Sequence, residues 1–207
     1  MLKTFQKSIQ FFFLAFFALL FFIGKIQLWA LIVLFGIVAS LILGRVYCGW
    51  LCPINTVMKV VSMIKSKLKI KGFKLPTLFE SNWIRYSILV LFLSLFVFTM
   101  VTGKKLPILP LIFGIGIILT VFFPEKLWHR YLCPYGTIMS LPAKFSIFSM
   151  HIDTSICNNC SICSKICPTS AILKSDSQYK IVKNECLICH DCSTKCKKSE
   201  IKYQHIR

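Results

Sequence analysis

Acidic residues are scarce in this chain. Asp and Glu supply seven of its 207 residues against 25 Lys and Arg, for a formal net charge of +18. None of the seven (Glu80, Glu125, Asp153, Asp176, Glu185, Asp191, Glu200) falls inside a long apolar run. A carboxylate relay across a bilayer is therefore missing, and with it the usual machinery of an ion pump. No G-x-G-x-x-G follows a strand-like segment, so there is no flavin or nicotinamide motif. The strong positive charge comes without any nucleic-acid-binding motif, and no nucleic acid is expected as a partner.

Apolar sequence is abundant. Hydrophobic residues make up 56% of the chain, and its mean hydropathy of +0.71 exceeds that of a soluble domain. Four runs, about 8–23, 28–44, 86–102 and 106–123, contain no Asp, Glu, Lys or Arg. Each approaches the length of about 17 residues that crosses a bilayer core, and only helices satisfy the backbone there. Large residues (Phe21, Phe22, Ile23) stand where a cleaved leader would have small ones, so the first run is expected to remain as a span. The loops at 24–27 and 103–105 are too short for a domain. Lys3 and Lys7 precede the first run, and Arg45, Lys59, Lys65, Lys67, Lys69, Lys71, Lys74 and Arg85 lie between the second and third. Only Lys25, Lys104 and Lys105 lie on the opposite side. This bias predicts a multi-pass protein of the cytoplasmic (inner) membrane, with its N-terminus and C-terminal domain in the cytoplasm.

Eight of the eleven cysteines form two copies of C-x2-C-x2-C-x3-C. Cys157, Cys160, Cys163 and Cys167 are repeated 29 residues later by Cys186, Cys189, Cys192 and Cys196. This is the spacing of a two-cluster bacterial ferredoxin, in which the fourth cysteine of each run ligates the other run's cluster. Two [4Fe–4S] clusters follow. Cys157, Cys160, Cys163 and Cys196 would hold the first, and Cys167, Cys186, Cys189 and Cys192 the second. Zinc ribbons use cysteine pairs far apart, and disulfide frameworks need an oxidising compartment. Cys186-Leu187-Ile188-Cys189-His190 imitates a haem-attachment motif, but the cluster run claims both cysteines. His190 is expected to tune a potential, and His151 and His205 to lie at the surface.

The other three cysteines belong to a second repeat. Tyr47-Cys48-Gly49-Trp50-Leu51-Cys52-Pro53 through Met58 aligns without gaps on Trp128-His129-Arg130-Tyr131-Leu132-Cys133-Pro134 through Met139. Pro53 and Pro134 suit the first position of helices, which puts Cys52 and Cys133 at helix N-termini, where a thiolate is favoured. After Pro53, Ile54, Val57, Val61, Ile64 and Leu68 recur at helical spacing among lysines, the pattern of an interfacial helix. If the repeats pack about a pseudo-twofold axis, Cys48, Cys52, Cys133 and His129 could form a third centre: zinc, [2Fe–2S] or another iron site. The alternatives are buried packing residues or a reversible thiol pair, with His129 one interfacial ring beside Trp128 and Tyr131.

The chain thus resembles the NapH-type membrane iron–sulfur proteins, to which NosR and CcoG are related. Two hairpins, two C-x3-C-P elements and a two-cluster ferredoxin carry the resemblance, and His129 replaces the first cysteine of the second element. The resemblance implies membrane electron transfer between quinol, quinone or a membrane partner and a redox protein, as a subunit of a quinol dehydrogenase-like oxidoreductase. For quinol oxidation, His129 and Glu125, four residues apart, are the candidate catalytic proton acceptors. Other readings are a CcoG-like metal reductase or assembly factor, and a non-catalytic membrane-anchored iron–sulfur subunit. The expected fold is an α-helical membrane protein of four transmembrane helices in two repeated hairpins (1–149), with a C-terminal α+β bacterial two-cluster ferredoxin-like domain (150–207).

Overall fold

The computed structural model describes residues 2–70, 72, 73, 75, 79, 81–103, 108–175, 178–198 and 201–205. Lys71, Lys74, Glu80, Lys104, Lys105, Asp176 and Glu200 lie outside the described residues. The chain is mostly helical and forms two compact units. Met1–Thr56 and Met139–Arg207 make the first, and Val57–Ile138 the second. The expected boundary at 149/150 falls inside the first unit.

In the first unit, α1 (Leu2–Phe22) runs into a 3₁₀ turn (Ile26–Leu28) and α2 (Trp29–Leu43). α1 and the turn-plus-α2 stretch are both long and apolar enough to cross a membrane. Their outward faces expose Phe12, Phe22, Leu31 and Phe35, as lipid contact requires. Their inward faces are held by aromatic packing, with the Phe17 ring set edge-on 5.1 Å from Trp29. Trp29 Nε1 also donates to the Tyr47 hydroxyl at 2.8 Å. α3 (Val46–Trp50) follows, and α4 (Pro53–Lys67) starts at the expected proline.

The strands of this unit lie after residue 147. β1 (Phe148–Ile152) pairs antiparallel with β4 (Ile201–His205), and β2 (Ile172–Ser175) with β3 (Gln178–Ile181). Short helices α8 (Ile162–Lys165) and α9 (Asp191–Lys195) carry the middle of each cysteine run. Pairing the first strand with the last brings the ends of this region together, so the two runs share one core. Met150, Ile152, Ala171, Ile172, Ile188 and Ile201 form that core with Cys186 and Cys192. The region is tied to α2 by backbone contact: Ile147 N–H donates to Ile42 O at 3.1 Å, and the Tyr203 hydroxyl to Leu43 O at 2.9 Å.

In the second unit, α5 (Asn82–Thr102) is the third helix of spanning length. Ser81 caps it by accepting from Trp83 N–H at 3.3 Å. α6 (Ile108–Phe122) is apolar but only 15 residues long. A π-helical turn (Leu127–Leu132) and α7 (Pro134–Ala143) complete the repeat. Two cations of the central segment are held within the protein: Lys65 is half-buried and Arg85 buried. Lys65 donates to Thr120 O at 2.8 Å, capping the end of α6. Arg85 is buried, its Nε 3.3 Å from Thr137 Oγ1.

Candidate iron–sulfur centres

Each cysteine run is wound by the same backbone device. Asn159 and Ser161 in the first run take left-handed conformations (φ 54° and 61°), and so do Ile188 and His190 in the second (53° and 55°). These pairs are 29 residues apart, matching the cysteine repeat. Alternating left- and right-handed residues turn successive N–H groups to one side and make a concavity for an anion, as in many iron–sulfur sites. A β-branched residue such as Ile188 pays roughly 1–3 kcal/mol of strain there.

The cysteines gather in crossed sets. Cys157, Cys160, Cys163 and Cys196 line one cavity, and Cys167, Cys186, Cys189 and Cys192 line another. Amide groups point at the sulfurs: Ala171 N–H lies 3.3 Å from Cys167 Sγ, and Ile188 N–H 3.4 Å from Cys186 Sγ. Such bonds stabilise cluster thiolates and tune their potentials. Among the described residues, no three His, Cys, Asp or Glu side chains are grouped tightly enough to hold a single metal ion. A cubane makes a different demand. Its four irons take one cysteine each, so its ligands stand around a volume rather than a point. Soft thiol donors round a largely apolar cavity fit it.

The two cavities differ in exposure. Cys186, Cys189 and Cys192 are buried, whereas Cys160 is exposed and Cys157, Cys163 and Cys196 are half-buried. Desolvation pushes the Cys186 and Cys192 thiols up to about 12 and raises Cys163 as well. Iron must therefore displace their protons on binding.

The second cavity is covered by the first C-x3-C-P element. Trp50 Nε1 donates to Ile188 O at 3.0 Å. A Cβ on Gly49 would overlap the Leu187 carbonyl oxygen. Gly49 O in turn accepts from Gln6 and Gln10, one helical turn apart on α1, at 3.0 and 2.7 Å. Arg45, 1% exposed, lies 3.5 Å from Glu185 Oε2 and 4.0 Å from Cys48 Sγ. It is a buried structural cation rather than one at the lipid surface. Its partner explains why a carboxylate can sit buried one residue before Cys186. Lys3 of α1 reaches Asp191 and the Cys189 carbonyl. Sequence reasoning missed this cover. Its one trace is that Gly49 aligns with Arg130, so the repeat itself does not demand a glycine there. His190 is buried, with Trp50 and Tyr203 edge-on at 6.0 and 6.3 Å. His151 and His205 are exposed.

The membrane cysteines are held alike in both copies. Cys52 N–H donates to Tyr47 O at 3.0 Å and Cys133 N–H to Trp128 O at 2.8 Å, each spanning five residues. Thr56 and Thr137 then close the first helical turns on the Cys52 and Cys133 carbonyls, at 3.2 and 3.0 Å. Gly36 makes room for the Tyr47 ring and Gly116 for the Trp128 ring. Eleven residues separate the first pair and twelve the second. Gly136 N–H points at Cys133 Sγ at 3.3 Å, the helix-N-terminal donor expected there. Cys48 and Cys52 belong to the first unit, and Cys133 and His129 to the second. His129 is buried and Glu125 half-buried.

The fold and cysteine loops define a class: an iron–sulfur electron-transfer protein built on apolar, membrane-type helices. Comparison with known proteins agrees. A family model described as a 4Fe-4S binding domain matches twice, at 26–71 and 106–153, once on each repeat. A second model of the same description matches 150–173. An uncharacterized protein of Methanocaldococcus jannaschii is 33% identical over 177 residues, covering 81% of this chain and 68% of that one. The ferredoxin-type protein NapH of Haemophilus influenzae is 31% identical, covering 84% of this chain and 66% of its own length. The methylamine utilization ferredoxin-type protein MauN of Methylorubrum extorquens is 33% identical, covering 67% of this chain and 51% of its own. No solved structure matches the chain at a significant level. The chain belongs to the NapH-type membrane polyferredoxin family.

Proposed function

We propose that the chain holds two [4Fe–4S] clusters in the crossed cysteine sets and passes electrons between a quinol, or a membrane partner, and a redox protein. The observation that supports this best is the pair of cavities, each lined by the four cysteines of one crossed set. When bound, the clusters supply one-electron redox chemistry. The chain's own part is to hold the thiolates, aim amides at the sulfurs and keep the second cavity dry. Protein purified without oxygen should carry about eight iron atoms. Iron near half that value, or zinc in its place, would sink the two-cluster reading.

The membrane part is read as four spans, the fourth formed by α6 within the apolar run 106–123. Lys3 lies against the second cysteine loop, which supports placing the N-terminus and ferredoxin region on one side. The lysine bias makes that side cytoplasmic. Reporter fusions after Lys69 and His205 should give cytoplasmic signals, and fusions after Lys25 and Gly103 the opposite. A cytoplasmic signal at Gly103 would overturn the four-span arrangement.

Quinol oxidation releases two electrons and two protons, so the site needs a proton acceptor. His129, with Glu125 one turn earlier, is the proposed acceptor, and its place in a π turn supports a functional role. Cys48, Cys52 and Cys133 are proposed to act with it as redox thiols or ligands, supported by the matched helix-terminal settings of Cys52 and Cys133 and by the alignment of Cys48 with His129 in the repeat. His129→Ala should slow quinol-dependent cluster reduction about 10²-fold or more, with iron content unchanged. His129→Cys, which restores the family pattern, is the companion variant. Wild-type rates in both would remove His129 from the mechanism.

A further inference from the structure

We infer that the two cluster cavities serve opposite partners, and that the Cys157–Cys160–Cys163–Cys196 cavity is the docking surface for an acidic redox protein. This rests on the two-cluster reading. The Cys167–Cys186–Cys189–Cys192 cavity cannot meet a soluble protein closely. Its loop is covered by Gly49 and Trp50, its three consecutive-run cysteines are buried, and Lys3 of α1 holds its rim. Through Arg45 it adjoins Cys48 of the membrane element, since that guanidinium touches both Cys48 Sγ and the Glu185 backbone next to Cys186. It is the membrane-side centre.

The other cavity is open on the opposite terms. Cys160 is exposed, and Lys197 and Lys198, both exposed, stand in the cavity lining beside Cys196. Among the described residues, acid near these cations is sparse, and Asp153 acts on Lys202. Of the described carboxylates after residue 150, Glu185 is paired with Arg45 and Asp191 with Lys3, which leaves Asp153. Exposed Lys165, Lys195 and Lys202 extend the same sign over this region. A redox centre opening onto a lysine rim attracts a partner whose own redox centre is ringed by carboxylates. Long-range attraction of this kind raises association rates by about 10–10³-fold and fades as salt screens it. Each encounter moves one electron between the partner and this cluster, one gaining the electron that the other loses.

The test uses the full-length protein in neutral detergent, with reduced flavodoxin as the acidic donor and reduced methyl viologen as a small cationic control. Cluster reduction is followed by stopped-flow absorbance and by EPR. With flavodoxin, the second-order rate constant should fall roughly tenfold as salt rises from about 0.01 M to about 0.15 M. The K197E/K198E double variant should show a similar fall at low salt, while methyl viologen keeps its rate or gains. A flat salt dependence, or an unchanged flavodoxin rate in a variant of full iron content, overturns the inference. If charge reversal costs iron, K197Q/K198Q and the wild-type salt series decide the matter by the same criteria. A defect seen only in vesicles containing anionic phospholipid would assign the lysines to lipid and also overturn it. Wild-type protein with no reducible clusters would instead defeat the two-cluster reading.

Discussion

Cys160→Ser is expected to lower the iron content from about eight atoms to about four or fewer, with one of two EPR signals lost. Cys160 lies between Asn159 and Ser161, both in the left-handed conformation that winds the first loop. A hydroxyl in its place is a harder, weaker donor to iron, and three thiolates leave one corner of the cubane open. The effect should spread beyond the loop. Cys157 and Cys163 pack against the same core as Ile152 and Ile201, the strand residues that pair the region's two ends. In so small a core, cluster binding is a large part of the folding free energy. Faster proteolysis after residue 150 should therefore accompany the iron loss. A variant that keeps its full iron and both signals would remove Cys160 from the ligand set.

Gly49→Ala is expected to disturb the other cavity. The added Cβ meets the backbone carbonyl of Leu187, which no side-chain rotation can clear, and further backbone atoms lie just beyond at 3.2 and 3.3 Å. Overpacking costs about 1–3 kcal/mol where side chains can give, and rigid backbone on both sides puts this site at the upper end. Either α3 or the Leu187–Ile188 peptide must move. The first breaks the Gln6 and Gln10 bonds to Gly49 O, and the second pulls Ile188 N–H from Cys186 Sγ. The signal of the second cluster should shift or disappear, with that of the first retained. Arg130→Ala, at the aligned position of the second repeat, is the control and should leave both signals as they are. Equal cluster spectra in Gly49→Ala and wild type would show that the cover has no hold on the cluster.

The cysteine loops were legible because their chemistry is local. Spacings of two and three residues put three sulfurs on one turn of chain, and the repeat at 29 residues marks a second loop of the same build. The helix starts at Pro53 and Pro134 were legible for the same reason, since proline fixes its own φ and lacks a donor at the one place where none is needed. α6 was less well marked: the apolar run 106–123 suggested a full span, and the helix described within it has 15 residues. Charge counting left positions open. Arg45 and Arg85 entered the bias that orients the spans, and the structure buries both in the protein. Net charge counts residues without regard to their partners, and Glu185 lies 140 residues from Arg45.

Residue types and short spacings by themselves determined that this is an iron–sulfur protein on apolar helices, because thiolate ligation and bilayer burial each impose a pattern within a few turns of chain. Only the tertiary structure decided which cysteine loop is covered and which is open. That difference rests on Gly49 meeting Leu187, Trp50 meeting Ile188 and Lys3 meeting Asp191, pairs separated by well over 100 residues. Contacts of that range leave no period or spacing in one sequence to read. They exist because β1 and β4 join the ends of the cysteine region and set it against α1 and α3, where only a glycine allows the backbones to meet.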